Sequence, residues 1–239
     1  MISSFFHTTI YDPLYNALIW LVGILPGHDV GVAVIALTLI VRFVLYPLSR
    51  RAIQSQMAMK KVAPEVEEIK KKYKNNSPEQ AQAIFALYKE RGVHPFAGMG
   101  VMLIQIPILI ALYWIFAVGG LPTVNTHLLY SFITTPPTIN MHFLGVVDMG
   151  AKHNIILAFL TVVTQMIYSR LSMGPRAGKT AVEESLSSDM AKSFDLQVRY
   201  VLPVIIGVVG YSIAAAATLF YVTSNVFMIA QEYLSGRRL

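Results

Sequence analysis

Four long stretches of this chain are apolar enough to lie in lipid, and only one of them carries a charge. The run Gly31 to Leu48 reads GVAVIALTLIVRFVLYPL, with Arg42 inside it. The runs 95–118, 154–169 and 200–231 contain no Asp, Glu, Lys or Arg. A bilayer core about 30 Å thick takes about 20 helical residues at ~1.5 Å each. The chain therefore reads as an all-α polytopic membrane protein. Composition agrees: 55% of its 239 residues are hydrophobic and 13% are charged, against roughly a quarter charged in soluble domains. Cysteine is absent, which excludes disulfides, thiolate metal sites, cysteine nucleophiles and a lipidated N-terminal cysteine. A cleavable signal peptide is not expected, because no Lys or Arg precedes Arg42 to form a basic leader.

The stretches predict five spans in one membrane domain, 1–239: 30–48, 95–118, 153–171, 200–214 and 217–234. The last two come from one apolar block, about 52 Å long as a single helix, split near Ala214–Ala217. The four alanines there favour helix over a turn. Charge sets the orientation. Ten Lys and Arg residues lie between Ser49 and His94, whereas 119–152 contains only Lys152. By the positive-inside rule the segment 49–94 is cytoplasmic, 119–152 is an outer loop, and 172–199 is a cytoplasmic loop. Arg237 and Arg238 place the C-terminus in the cytoplasm, which requires an even number of spans after Arg199. The N-terminus is then outside. Residues 11–26 are too short to span and predict an interfacial helix on the outer surface, with Tyr11, Tyr15 and Trp20 at headgroup level.

Segment 49–94 predicts a cytoplasmic two-helix hairpin. Val62, Val66, Ile69 and Tyr73 form one apolar stripe, and Ala81, Ile84 and Tyr88 the facing one. Pro64 should kink the first arm. Asn75 and Asn76 end it, Ser77 caps the second arm with Gln80 closing the box, and Gly92 stops it. The exposed bases Arg50, Arg51, Lys60, Lys61, Lys70, Lys71 and Lys72 suit a docking arm for a macromolecular partner or anionic lipid. The plainer alternative is a solvated loop that only sets topology.

Arg42 lies about 9 Å below the cytoplasmic end of its span. A guanidinium at such depth costs about 2.5–3.5 kcal/mol on insertion scales, so it marks a functional site unless it snorkels to the headgroups. Arg50 and Arg51 already mark that boundary. Thr38, Gln105, Thr164, Gln165, Ser224 and Asn225 are neutral polar groups at membrane depth that can line a wet cavity around it, though each alone is commonly interhelical glue. A cationic wet pocket in the cytoplasmic half of the bilayer attracts acidic or polar peptide and lowers its desolvation cost.

These residues carry a resemblance. GHDVGVAVIALTLIVRFVLYPLSRRAIQSQMAMKKVAP (27–64), GVHPFAGMGVMLIQIPILIALYW (92–114), FLGVVDM (143–149) and LFYVTSNVFMIAQEYL (219–234) resemble the YidC insertases, bacterial relatives of the mitochondrial Oxa and plastid Alb insertases. The resemblance implies a membrane protein insertase of the bacterial inner (plasma) membrane. Its five-helix core would hold a hydrophilic groove open to cytoplasm and lipid. It implies that Arg42 attracts acidic substrate segments, that Gln165 is a groove polar position, and that Tyr221 falls where many members carry an aromatic. Implied partners are nascent membrane proteins, ribosomes, the signal recognition particle pathway and the Sec translocon. No cofactor, metal site or specific nucleic-acid site is implied. The large periplasmic domain and long basic tail of some members are missing, so ribosome contact is expected through the hairpin and 172–199. Gly145 stands where the family often has Trp.

Enzymatic chemistry is not expected. The segment Gly174–Thr180 is one residue short of a P-loop and follows a membrane helix. The histidines show no paired ligand spacing, and no acid pair lies in a span. The competing functions are a small transporter or anion channel using Arg42 as its charge site, and a pure assembly factor. The two halves show no inverted repeat to support a transporter.

Overall fold

The computed structural model describes residues 2–74, 76–94, 97–117, 121–173, 193 and 195–236. Its helices run α1 (Ile2–Phe6), α2 (Asp12–Ile24), α3 (Val30–Val44), α4 (Tyr46–Lys72), α5 (Ser77–Glu90), α6 (Ala97–Ala117), α7 (Ile155–Met173), α8 (Leu202–Ser212) and α9 (Ala215–Leu234). π-helical turns at His7–Tyr11 and Gln197–Val201 lead into α2 and α8. Two short antiparallel strands, β1 (His142–Phe143) and β2 (Val147–Asp148), make a hairpin in the connection before α7. Two compact units result, one of Met1–Phe43 with Pro107–Leu239 and the other Val44–Ile106. Among the described residues, α7 alone is long and apolar enough to cross a membrane by itself; α3 passes only when joined to α4.

In the first unit, α7 packs against both α8 and α9. The α8 face turned inward is made of small residues: Pro203, Gly207 and Gly210 are buried. A Cβ on Gly207 would overlap the Val162 side chain, and one on Gly210 would stand 3.2 Å from Thr218 Cγ2. Close backbone approach of this kind is how helices associate where no hydrophobic effect drives them together. Val204, Ile205, Val208 and Val209 point the other way and are exposed.

The break between α8 and α9 falls at Ile213–Ala214, both in extended backbone, and the alanines after it begin α9. The expected split inside Ala214–Ala217 is therefore moved upstream. The cause is distant in sequence. Ala215 and Ala216 donate their amides to the Ala151 and Met149 carbonyls at 2.9 and 3.0 Å, and the His153 amide donates to the Tyr211 carbonyl at 2.8 Å. The helix ends are thus satisfied by the connection before α7. The same connection holds α3. Asp29 caps that helix, its Oδ1 accepting from the Gly31 and Val32 amides at 2.7 and 3.1 Å, while Oδ2 accepts from Leu144 at 2.8 Å. An Asp N-cap is worth about 1 kcal/mol. Helix α3 stops at Val44, short of the expected 48, because Pro47, in the first turn of α4, has no amide to donate back to α3.

Helical structure at the N-terminus starts at Ile2, well before the expected residue 11. The tyrosines expected at headgroup level are packed inside the protein. Tyr15 is fully buried and its hydroxyl accepts from the Asn125 amide at 2.8 Å; Tyr11 is buried and meets Tyr15 and Trp114. Asn16 completes the seam, donating to the Leu128 carbonyl and accepting from the Tyr130 amide. Trp20 is half-exposed.

In the second unit, α4 and α5 pack around Val62, Leu87 and Val93, with Ala58, Met59, Val66, Ile69 and Tyr88 at the margin. Leu87, absent from the expected stripe, supplies the centre. The cap is Asn76 rather than Ser77, its side chain accepting from the Glu79 amide at 3.4 Å. Both residue types cap well, and Pro78 permits either start. Helix α4 continues through Pro64. Gly92, at φ +62°, closes α5 in a Schellman motif: the Val93 amide bonds the Tyr88 carbonyl and the Gly92 amide that of Lys89. Val93 then packs on Leu87, the apolar contact that accompanies this motif.

Candidate functional site

Thr38 and Arg42 stand one helical turn apart on α3, so they share a face. Both are buried, Arg42 with only 3% of its surface exposed, while Leu39, Ile40, Phe43 and Val44 are exposed. Thr38 returns its hydroxyl to the Val34 carbonyl at 2.6 Å, which spares it a partner outside the helix. Helix α7 presents Thr161, Thr164, Gln165 and Tyr168 at three- and four-residue spacing; the first three are buried. On α9, Tyr221, Ser224 and Asn225 follow the same spacing, with Ser224 and Asn225 buried.

The stripes meet. Tyr221 donates its hydroxyl proton to Gln165 Oε1 at 2.9 Å, and Asn225 Nδ2 donates to Thr164 Oγ1 at 3.2 Å. Thr164 in turn donates to the Leu160 carbonyl at 2.7 Å. Arg42 lies within electrostatic reach of the Tyr168 and Tyr221 hydroxyls, and Phe43 meets Phe227 edge-on at 5.3 Å between ring centroids. Three apolar helices thus turn polar residues toward one another. Ser224 Oγ and Asn225 Oδ1 are buried with no hydrogen-bond partner among the described residues. Each such atom costs about 1–3 kcal/mol if left dry, so the arrangement favours water or a polar guest. A cation, hydroxyls and amides can bind and solvate. They include no nucleophile held against a base. Among the described residues no three His, Asp or Glu side chains gather to hold a metal.

Of the expected site residues, Arg42, Thr38, Thr164, Gln165, Tyr221, Ser224 and Asn225 all belong to the first unit. Gln105 is half-buried on α6 and falls in the second. Tyr168 is the member that the sequence reasoning missed; its signal was the three-residue step from Gln165. Arg50, Arg51, Lys60, Lys61, Lys70, Lys71 and Lys72 are all exposed along α4. Arg176, Lys179 and Lys192, basic residues of the expected 172–199 loop, lie outside the described residues. Arg199 is buried at the foot of α8 and paired with Asp195 at 2.8 Å.

This mostly helical fold has a solved counterpart. The chain matches the crystal structure of an active YidC insertase with its first transmembrane domain resolved. The TM-score is 0.57 at 25% identity, over 93% of this chain and 46% of that one. The chain belongs to the 60Kd inner membrane protein family, whose model matches residues 20–239. It is 30% identical to the membrane protein insertase YidC of Oceanobacillus iheyensis, covering 95% of this chain and 85% of that protein. To the YidC of Clostridium tetani it is 31% identical, over 89% and 84%. It thus spans most of these two relatives and under half of the solved structure.

Proposed function

We propose that this protein is a membrane protein insertase, and that the seam of α3, α7 and α9 is where a polar substrate segment is held while its apolar neighbour enters lipid. The observation that carries this reading is a buried arginine within reach of the Tyr168 and Tyr221 hydroxyls, the latter bonded to Gln165, on helices that also expose apolar faces. Arg42 attracts acidic or polar peptide, and the cluster around it substitutes for part of the water that such peptide loses. Family membership and the naming of its relatives support the same function, without a catalytic step.

The finer topology belongs to this proposal. Five spans cross the membrane, α8 and α9 as a pair, with the N-terminus outside and the C-terminus cytoplasmic. The basic distribution along the sequence supports that orientation. The α4–α5 hairpin then stands in the cytoplasm and offers its exposed lysines to anionic lipid, the ribosome or the targeting pathway. Cooperation with the Sec translocon is part of the same reading.

The test is insertion of a single-span substrate with an acidic tail into vesicles holding purified protein, with solute flux recorded in parallel. Arg42→Ala is expected to lose tail translocation and Arg42→Lys to keep much of it, since an extended flexible guest needs charge rather than a bidentate fork. Full translocation by Arg42→Ala sinks the role of Arg42. Solute flux without translocation replaces the insertase with a transporter or channel.

A further inference from the structure

The β1–β2 hairpin has an unusual tip. Three residues, Leu144, Gly145 and Val146, close it, and the first two both have positive φ, +52° and +75°. That is the pattern of a type I′ turn, for which Asn-Gly or Gly-Gly is the ordinary choice. Leucine in left-handed backbone is strained, and such strain persists only where something else holds it. Here it also holds an apolar side chain in the open: Leu144 is 71% exposed and Val146 80%. Phe143 and Val147, which flank the turn, are partly buried, so the tip alone is displayed.

Its height is fixed by contacts at the start of α3. The Leu144 amide is bonded to Asp29, the cap of that helix, and Phe143 lies where a Cβ on Gly31 would be. The tip therefore sits level with the first turn of the span that carries Arg42. At the start of α7, directly after this connection in the chain, Ile155 and Ile156 are exposed as well.

We propose that Leu144 and Val146 dip into the outer leaflet of the bilayer, with lipid acyl chains at the headgroup boundary as their partner. The inference rests on α3 being a membrane span, as proposed above. In water two such side chains at a turn tip would gain nothing from exposure. At a lipid boundary each buries apolar area, the way interfacial anchors bind.

The absence of cysteine makes single-site reporters simple. Val146→Cys and, as a control, Val208→Cys on the exposed face of α8 would carry an environment-sensitive dye in vesicles of phosphatidylethanolamine and phosphatidylglycerol. Quenchers would be a lipid nitroxide near the headgroup, a deep lipid nitroxide and aqueous iodide. At 146 we expect blue-shifted emission, quenching by the shallow nitroxide and protection from iodide; at 208, quenching by the deep one. Water-like emission and iodide access at 146, with 208 still quenched by lipid, overturns the tip proposal alone. Lipid quenching at neither site overturns the membrane reading beneath it. A second variant separates anchoring from turn-making. Leu144→Asn suits the left-handed backbone and should fold at least as well, yet it should move the dye at 146 toward water. Unchanged emission in that folded variant also overturns the proposal.

Discussion

The α7–α8–α9 bundle and the α4–α5 hairpin are built from the same element and sorted in opposite directions. In the bundle α8 turns its large apolar residues Val204, Ile205, Val208 and Val209 outside, while α7 and α9 bury Thr161, Thr164, Gln165, Ser224 and Asn225 beside Leu219 and Phe220. In the hairpin Val62, Leu87 and Val93 are inside and the lysines outside. A helix shows its solvent the face that the solvent accepts. On the proposed topology the bundle faces a solvent as apolar as leucine, which suits a closure made by small residues and hydrogen bonds. On the same proposal the hairpin faces water, which suits a closure on its few large apolar side chains. Each region is consequently sensitive to a different kind of substitution.

The largest effect is expected where the bundle depends on smallness. Gly207→Leu puts a Cβ into Val162 and forces α8 away from α7. Overpacking of this kind costs about 1–3 kcal/mol, and we expect the upper end because the first added atom already overlaps. Thermal unfolding in detergent should fall for Gly207→Leu and stay within error for Val208→Leu, one residue away on the exposed face. Equal stability of both variants breaks the claim that small residues close this bundle.

The hairpin should fail by the opposite change. Leu87→Ala removes the largest side chain from a small core, at a cost of about 2 kcal/mol, the lower end for buried leucine because the site lies near the surface and can relax. Trypsin is the direct readout, since Lys70, Lys71 and Lys72 end α4 and the helical backbone beside them becomes cleavable when the arms separate and that end unravels. Faster cleavage there, with detergent unfolding of the bundle unchanged, sharpens the contrast. A shift in both shows that the two regions share stability.

How much of this was legible follows from where each cause lies. Arg42 and the apolar runs were readable because a charge in such sequence is visible without any neighbour. The seam was partly readable: Thr164, Gln165, Ser224 and Asn225 announced themselves as polar residues in apolar helices, and Tyr168 did not, because a tyrosine near a span end reads as an interfacial anchor. Tyr11 and Tyr15 misled for the same reason; the Asn125 amide and Trp114 that draw them inward are about a hundred residues away. The α8–α9 break was expected, but its position was set by Met149, Ala151 and His153, whose carbonyls and amide no local propensity can reveal. Asn76 against Ser77 was a choice between two good caps, decided by one hydrogen bond.

The smallest expected effect tests whether surface charge adds to the hairpin what its core does not. Arg91 reaches Glu65 at 2.8 Å, joining the end of α5 to α4, and the carboxylate raises the guanidinium pKa above its ordinary value. Both side chains are well exposed, so water and salt screen the pair, and such pairs are worth little in general. Arg91→Ala should leave tryptic cleavage of the hairpin barely faster at low ionic strength and indistinguishable from wild type at about 1 M salt, where the Debye length is roughly 3 Å. Leu87→Ala should stay fast at both. Cleavage of Arg91→Ala as rapid as that of Leu87→Ala, or insensitive to salt, would show that the pair acts through packing of the arginine stem across the arms rather than through charge.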